Sequence, residues 1–108
     1  GQAEFVSLVR MAIGAVAAMM GFGVEALEDI KLAVAEACNN AIEHARVPSG
    51  RAVEILITCC LEHDQLVLEV LDTGGEAGLL LIQALMDRVD WASGPSGTTV
   101  RMVKRLDR

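Results

Sequence analysis

Glu36, Asn40 and His44 stand four residues apart in the stretch Asp29-Ile-Lys-Leu-Ala-Val-Ala-Glu36-Ala-Cys-Asn-Asn40-Ala-Ile-Glu-His44-Ala. A four-residue step turns an α-helix by about 400°, so the three side chains climb one stripe about 40° apart. They offer a carboxylate, a carboxamide oxygen and an imidazole in one line. Leu27, Ile30, Val34, Ala37, Cys38, Ala41 and Ala45 fill the neighbouring face, so the stripe borders the buried side of the helix. An amide oxygen such as that of Asn40 suits a hard cation like Mg²⁺, which keeps several waters. A carboxylate one turn away can orient or deprotonate a nucleophile. Asn39 is the alternative ligand if the register shifts by one. A solvated helix edge with an incidental Asn and His satisfies the same spacing, so the later motifs must decide.

Three such motifs follow. Asp72-Thr-Gly74-Gly75 comes after an apolar strand, Gly78 opens a helix, and Gly97-Thr98-Thr99 opens a last strand. A strand-end carboxylate such as Asp72 can accept hydrogen bonds from a ligand, though aspartate is also common in such turns. Gly74 allows a close backbone approach. Thr98 can donate a hydroxyl or serve as an ordinary strand residue. The free N–H groups after Gly78 favour phosphate. No G-x-x-x-x-G-K-[ST] loop is present, which excludes an ordinary P-loop.

In this order the motifs resemble the ATP-binding fold of DNA gyrase and the histidine kinases. Within it, the chain is most similar to the anti-sigma factor serine/threonine kinases of the RsbW type. Glu36-Ala-Cys-Asn-Asn40-Ala-Ile-Glu-His44-Ala resembles that family's first nucleotide motif, and Gly78-Leu-Leu-Leu-Ile-Gln-Ala-Leu-Met-Asp-Arg-Val its third helix. The likeness runs from about residue 3 to residue 106. It implies ATP and Mg²⁺ as cofactors and Glu36 as the base for a protein serine or threonine hydroxyl. Asn40 would be the Mg²⁺ ligand, and Asp72, Gly74 and Thr98 would lie around the adenine. Gly78 would stand at the phosphates. His44 would line the phosphate end, or be a structural histidine near the helix C-terminal dipole. The implied partners are a sigma factor and an anti-sigma antagonist protein. The rival readings are a nucleotide-binding module acting only by partner binding, and the ATP-binding part of a histidine kinase. The short chain and the lack of a phospho-accepting helix argue against the latter.

One departure matters. Only Gly75-Glu-Ala separates Gly74 from Gly78, where the family carries a longer ATP lid that supplies a cation to the triphosphate. Either the lid is deleted, or a mobile segment near Gly75 and Glu76 is missing from the sequence as written. The second is favoured, because Gly75 and Gly78 could barely frame a phosphate site otherwise.

The elements that must position these residues follow from periodicity. Ala3–Met20 reads as a helix with Phe5, Leu8, Ala12, Ala15 and Met19 recurring at three or four residues. Its second half is apolar almost all round, hence deeply packed or part of a subunit contact. Gly21-Phe-Gly23 breaks it, and a second helix runs from about Val24 to Arg46. Ala52–Glu62 and Gln65–Asp72 form a hairpin about His63-Asp64. A short helix over Leu79–Asp87, a brief strand over Val89–Ala92, a turn at Ser93–Gly97 and a strand over Thr98–Leu106 complete the chain. The expected fold is an α+β two-layer sandwich: a mixed, mainly antiparallel sheet with helices on one face, of the histidine-kinase-like ATPase type. The family's additional N-terminal strand is not recognisable and would lie upstream of Gly1.

The 108 residues suit a single domain, and Gly1 in place of an initiator Met fits a processed tag or a domain excised from a longer protein. A net charge of −6 argues against direct nucleic-acid binding and fits a Mg²⁺–nucleotide complex or a basic protein partner. The longest uncharged run, Met11–Val24, has 14 residues, short of a bilayer span, so no membrane association is expected. Cys38, Cys59 and Cys60 read as reduced core thiols of a cytoplasmic protein, with Cys38 on a helix's apolar face and the adjacent Cys59 and Cys60 on opposite sides of a strand. The apolar first helix and the uncovered sheet face point to a homodimer.

Overall fold

A computed structural model describes residues 2–44, 56–72, 79–94 and 97–106. Its elements are α1 (Gln2–Met20), α2 (Val24–His44), β1 (Ile57–Glu62), β2 (Gln65–Asp72), α3 (Leu79–Leu85), β3 (Arg88–Gly94) and β4 (Gly97–Arg105). The four strands form one sheet in the order β1-β2-β4-β3. Every pairing among the described residues is antiparallel, so the sheet is not mixed there. The two-layer architecture is as expected.

Alternation decides the two sheet faces. Leu66, Leu68, Val70, Val100 and Met102 point to the helices and join Ile30, Val34, Ala37, Cys38 and Ala41 in one core. On the opposite face Thr58, Glu69, Arg101 and Asp90 stand in one cross-strand row. There Arg88 Nε donates to Asp90 Oδ2 at 2.8 Å.

The α1–α2 corner is a glycine cap. Gly21 has φ +102°. Its N–H donates to Ala18 O at 3.1 Å and the Phe22 N–H reaches Ala17 O at 3.2 Å, the pair of bonds that closes a helix through a left-handed residue. Phe22 is buried beneath the turn. At Gly14 an added Cβ would come within 2.9 Å of Lys31 Cδ, so the missing side chain lets the Lys31 stem lie across α1.

Helix α1 departs from expectation in its face. Its buried residues are Val6, Ile13 and Ala17, whereas Phe5, Leu8 and Met19 of the expected stripe are exposed. Both sets satisfy a helical period, and packing against α2 selects the other one. The helix is also long and apolar enough, by length and composition, to cross a membrane over Ala3–Met20. Glu4 and Arg10 interrupt the uncharged run but leave the mean hydropathy of that segment high.

Strand β3 extends to Gly94, beyond its expected end at Ala92, because its hairpin partner β4 starts at Gly97. Helix α3 ends at Leu85, and Asp87 then turns the chain by receiving the Arg105 N–H on Oδ2 at 2.6 Å. Of the expected first hairpin strand, residues 52–55 lie outside the described residues, as do 45–46 of the second helix.

Candidate nucleotide site

Helix α2 carries Glu36 and Asn40 because its apolar period seats it between the sheet and its neighbouring helices. Ile30, Ala33, Val34, Ala37, Cys38 and Ala41 are buried. Glu36 and Asn40 are half-buried at the border of that face, while Asn39 is exposed. The register therefore favours Asn40 over Asn39 as the inward carboxamide. Asn40 already has a polar or electrostatic partner within the protein. His44 is the last residue of α2.

Strands β2 and β4 bring two more candidates together. Asp72 is the direct cross-strand partner of Thr98. Thr98 is buried, and its Oγ1 lies 3.0 Å from Ser93 Oγ, either hydroxyl donating. Ser93 was not among the expected site residues, since it read as a turn. Counting back through the β3–β4 hairpin from Gly94 opposite Gly97 places it beside Thr98, and that count was available in the sequence. Gly74 and Gly78, with the whole question of a shortened lid at Gly75 and Glu76, lie outside the described residues.

A tether at the far end of the domain fixes how α2 runs against β4. Lys104 Nζ donates to Leu85 O at 2.7 Å and lies 3.6 Å from Asp29 Oδ2. The first turns of α2, the end of β4 and the end of α3 therefore meet there. From Asp29 to Asn40 the helix rises about 16 Å. From Lys104 back to Thr98 the strand covers about 20 Å. With α2 packed on β2 and α3, the stripe of α2 arrives at the end where Thr98, Asp72 and the start of α3 lie. Glu36 and Asn40 from the helix layer thus face the same end of the molecule as the Asp72–Thr98–Ser93 row of the sheet.

That donor set suits a nucleotide carried with its metal. Among the described residues no three His, Cys, Asp or Glu side chains converge on a metal position. Mg²⁺ asks for less: it keeps most of its waters and takes one or two protein oxygens plus phosphates, so a single carboxamide such as Asn40 fits.

Comparison with known proteins identifies the family and the fold. The family model described as "Histidine kinase-like ATPase domain" matches residues 2–77. Serine-protein kinase RsbW of Bacillus pumilus is 33% identical over 132 aligned positions, covering 97% of this chain and 81% of the relative. RsbW of Bacillus subtilis is 32% identical, covering 98% and 81%. Since 97% of 108 residues is about 105, some 27 of those 132 positions have no counterpart here. The crystal structure of the RsbU and RsbW domains of a Mycobacterium tuberculosis protein superposes with a TM-score of 0.80 at 28% identity, covering 95% of this chain. The chain spans 29% of that longer polypeptide. A histidine kinase domain from Erythrobacter litoralis shares the fold, with a TM-score of 0.64 at 22% identity, covering 97% of this chain and 61% of that one. The two-layer fold, the α2 stripe and these relatives together make the chain a member of the histidine kinase-like ATPase family, on its RsbW serine-protein kinase branch.

Proposed function

We propose that this protein is a cytoplasmic anti-sigma-type serine/threonine kinase domain. It binds Mg²⁺–ATP, phosphorylates an anti-sigma antagonist protein, sequesters a sigma factor and works as a homodimer. The observation that carries the reading is the half-buried Glu36–Asn40 stripe at the same end of the fold as the Asp72–Thr98 pair. Asp72 selects adenine through its exocyclic amino group, with Thr98 beside it held by Ser93. Gly74 and Gly78 are assigned to the base and phosphates, and His44 to the phosphate end, from the sequence motifs. Asn40 would hold Mg²⁺, whose chemistry there would be to offset the charge of the triphosphate. Glu36 takes the proton of the incoming serine or threonine hydroxyl as its oxygen bonds to the γ-phosphorus. The β–γ bridging bond breaks and ADP leaves. Positioning dominates such a transfer, so the base contributes less than it does in other chemistries.

A second reading is favoured by the roughly 27 aligned positions that the B. pumilus relative has and this chain lacks. If they include the lid, the domain binds nucleotide and partner with weak or no transfer. One experiment separates the two. Labelled Mg²⁺–ATP and candidate antagonists are incubated with wild type and with Glu36→Gln, which keeps the shape of the side chain but not its basicity. Phosphoserine formed by wild type and reduced on the order of 10²-fold in the variant, with nucleotide binding intact, supports the kinase. Equal rates remove Glu36 from the mechanism. No transfer by wild type, with tight partner binding retained, selects the binding module.

A further inference from the structure

Thr98 is the one buried polar residue among those described, at 3% exposure. Alternation along β4 sets it on the helix-facing side with Val100 and Met102, both buried and apolar. Packing alone asks for no hydroxyl there. Threonine and valine share β-branching and shape, so valine would satisfy strand and core without the cost of burying a hydroxyl. That cost is met by Ser93, the residue directly opposite on β3, whose Oγ lies 3.0 Å from Thr98 Oγ1. Thr98 has a further interaction within the protein, which a ligand at this position would share or replace.

The chemistry turns on which hydroxyl donates. A threonine hydroxyl has one proton and two lone pairs. If Thr98 gives its proton to Ser93, it offers only lone pairs to any other group. If Ser93 donates, the Thr98 proton is left for a third atom. Ser93 is exposed, so water can donate to its oxygen while its own proton goes to Thr98. Ser93, Thr98 and Asp72 occupy one cross-strand row over β3, β4 and β2. In the preceding reading Asp72 accepts from the exocyclic amino group of adenine. The ring nitrogen N1 is the next atom on that edge of the base, and it is an acceptor. A base with its amino group on Asp72 therefore offers N1 to the next position in the row, Thr98. N1 needs a donor there, directly or through one water.

We propose that Ser93 is a positioning residue for base recognition: it donates to Thr98 Oγ1 and so directs the single Thr98 proton at N1 of adenine. The inference rests on the nucleotide part of the preceding reading and is independent of Glu36 and of phosphate transfer. Hydrogen bonds in series polarise one another, so Thr98 is a stronger donor with Ser93 behind it than alone. The 3.0 Å contact also holds the Thr98 hydroxyl in one direction before any base arrives, which removes part of the ordering cost of binding. Asp72 and the Ser93–Thr98 pair thus read two different atoms of one base edge, an amino donor and a ring acceptor.

Calorimetry of the whole chain with Mg²⁺ and two ligands tests this: ADP, and 1-deaza-ADP, in which a C–H group replaces N1. Wild type should bind ADP more tightly than 1-deaza-ADP. Ser93→Ala should weaken ADP about fivefold, the worth of one neutral hydrogen bond, and leave 1-deaza-ADP unchanged. Ser93→Thr keeps a hydroxyl and should restore the affinity for ADP. Ser93 is exposed, so both variants should fold, which circular dichroism checks. An equal loss for both ligands makes Ser93 a support of the strand end and overturns the proposal. No loss for either ligand overturns it too, as does a Ser93→Thr variant as weak as Ser93→Ala. In these three cases the nucleotide site itself stands. A wild type that binds no ADP overturns the nucleotide reading, and the proposal with it.

Discussion

Lys104→Met tests the tether that aligns the two layers. The ammonium group donates to Leu85 O at 2.7 Å and stands 3.6 Å from Asp29 Oδ2, with the lysine side chain only 14% exposed. Methionine preserves most of the buried stem and removes the charge. A hydrogen bond from a charged donor is worth about 1.5–3 kcal/mol. The Asp29 carboxylate is a third exposed, so its ion pair adds at most about 0.5–1 kcal/mol. The variant should therefore lose about 2 kcal/mol in urea unfolding. At 4–8 °C per kcal/mol for domains of this size, the melting temperature should fall by roughly 8–15 °C. Asp29→Asn should cost less than 1 kcal/mol, because the Leu85 carbonyl remains a partner. Lys31→Met is the control: its pair with Glu28 at 2.7 Å is largely exposed, so about 0.5 kcal/mol or less is expected. Equal losses for Lys104→Met and Lys31→Met would refute the claim that Lys104 anchors the far end. The placement of Asn40 and Thr98 at a common end would then lose its main support.

The remaining expectations concern the site and the core. Asp72→Asn and Asn40→Ala should each lower Mg²⁺-dependent ATP affinity at least tenfold by calorimetry; unchanged affinity in both would move the nucleotide elsewhere. Thr98→Val strips the hydroxyl partner from Ser93 and should cost about 1 kcal/mol of stability. Thr98→Ser should restore most of it, and equal stability of the two variants would show that the contact is idle. Burial pushes the Cys38 thiol from 9.0 up to about 11. The folded state keeps that proton longer than the unfolded chain does, so the stabilisation is full below pH 9 and is lost as pH rises toward 11. Cys38→Ala should flatten that limb of a stability–pH curve, and iodoacetamide should label exposed Cys60 well before Cys38 in the native protein.

Cys60 also corrects the expectation of core thiols. Adjacent positions on a strand point to opposite faces, so one of a Cys-Cys pair on an edge strand had to meet solvent.

The chain's own pattern determined which residues could do chemistry and which elements hold them. The spacing of Glu36, Asn40 and the apolar residues between them sets a stripe on the border of a buried helix face, because helical geometry alone converts spacing into direction. The hairpin about His63-Asp64, the break at Gly21-Phe-Gly23 and the two-layer class follow from local period and turn chemistry in the same way. Tertiary structure decided what periodicity leaves degenerate. Helix α1 is apolar on more than one face, so only packing could choose Val6, Ile13 and Ala17 for burial and leave Phe5, Leu8 and Met19 outside. The pairing of Asp72 with Thr98 depends on strand order and register between residues distant along the chain. The link from Lys104 to Leu85 and Asp29 is of the same kind. A lysine in a strand announces no partner, and only the approach of α2 and α3 to the end of β4 supplies one.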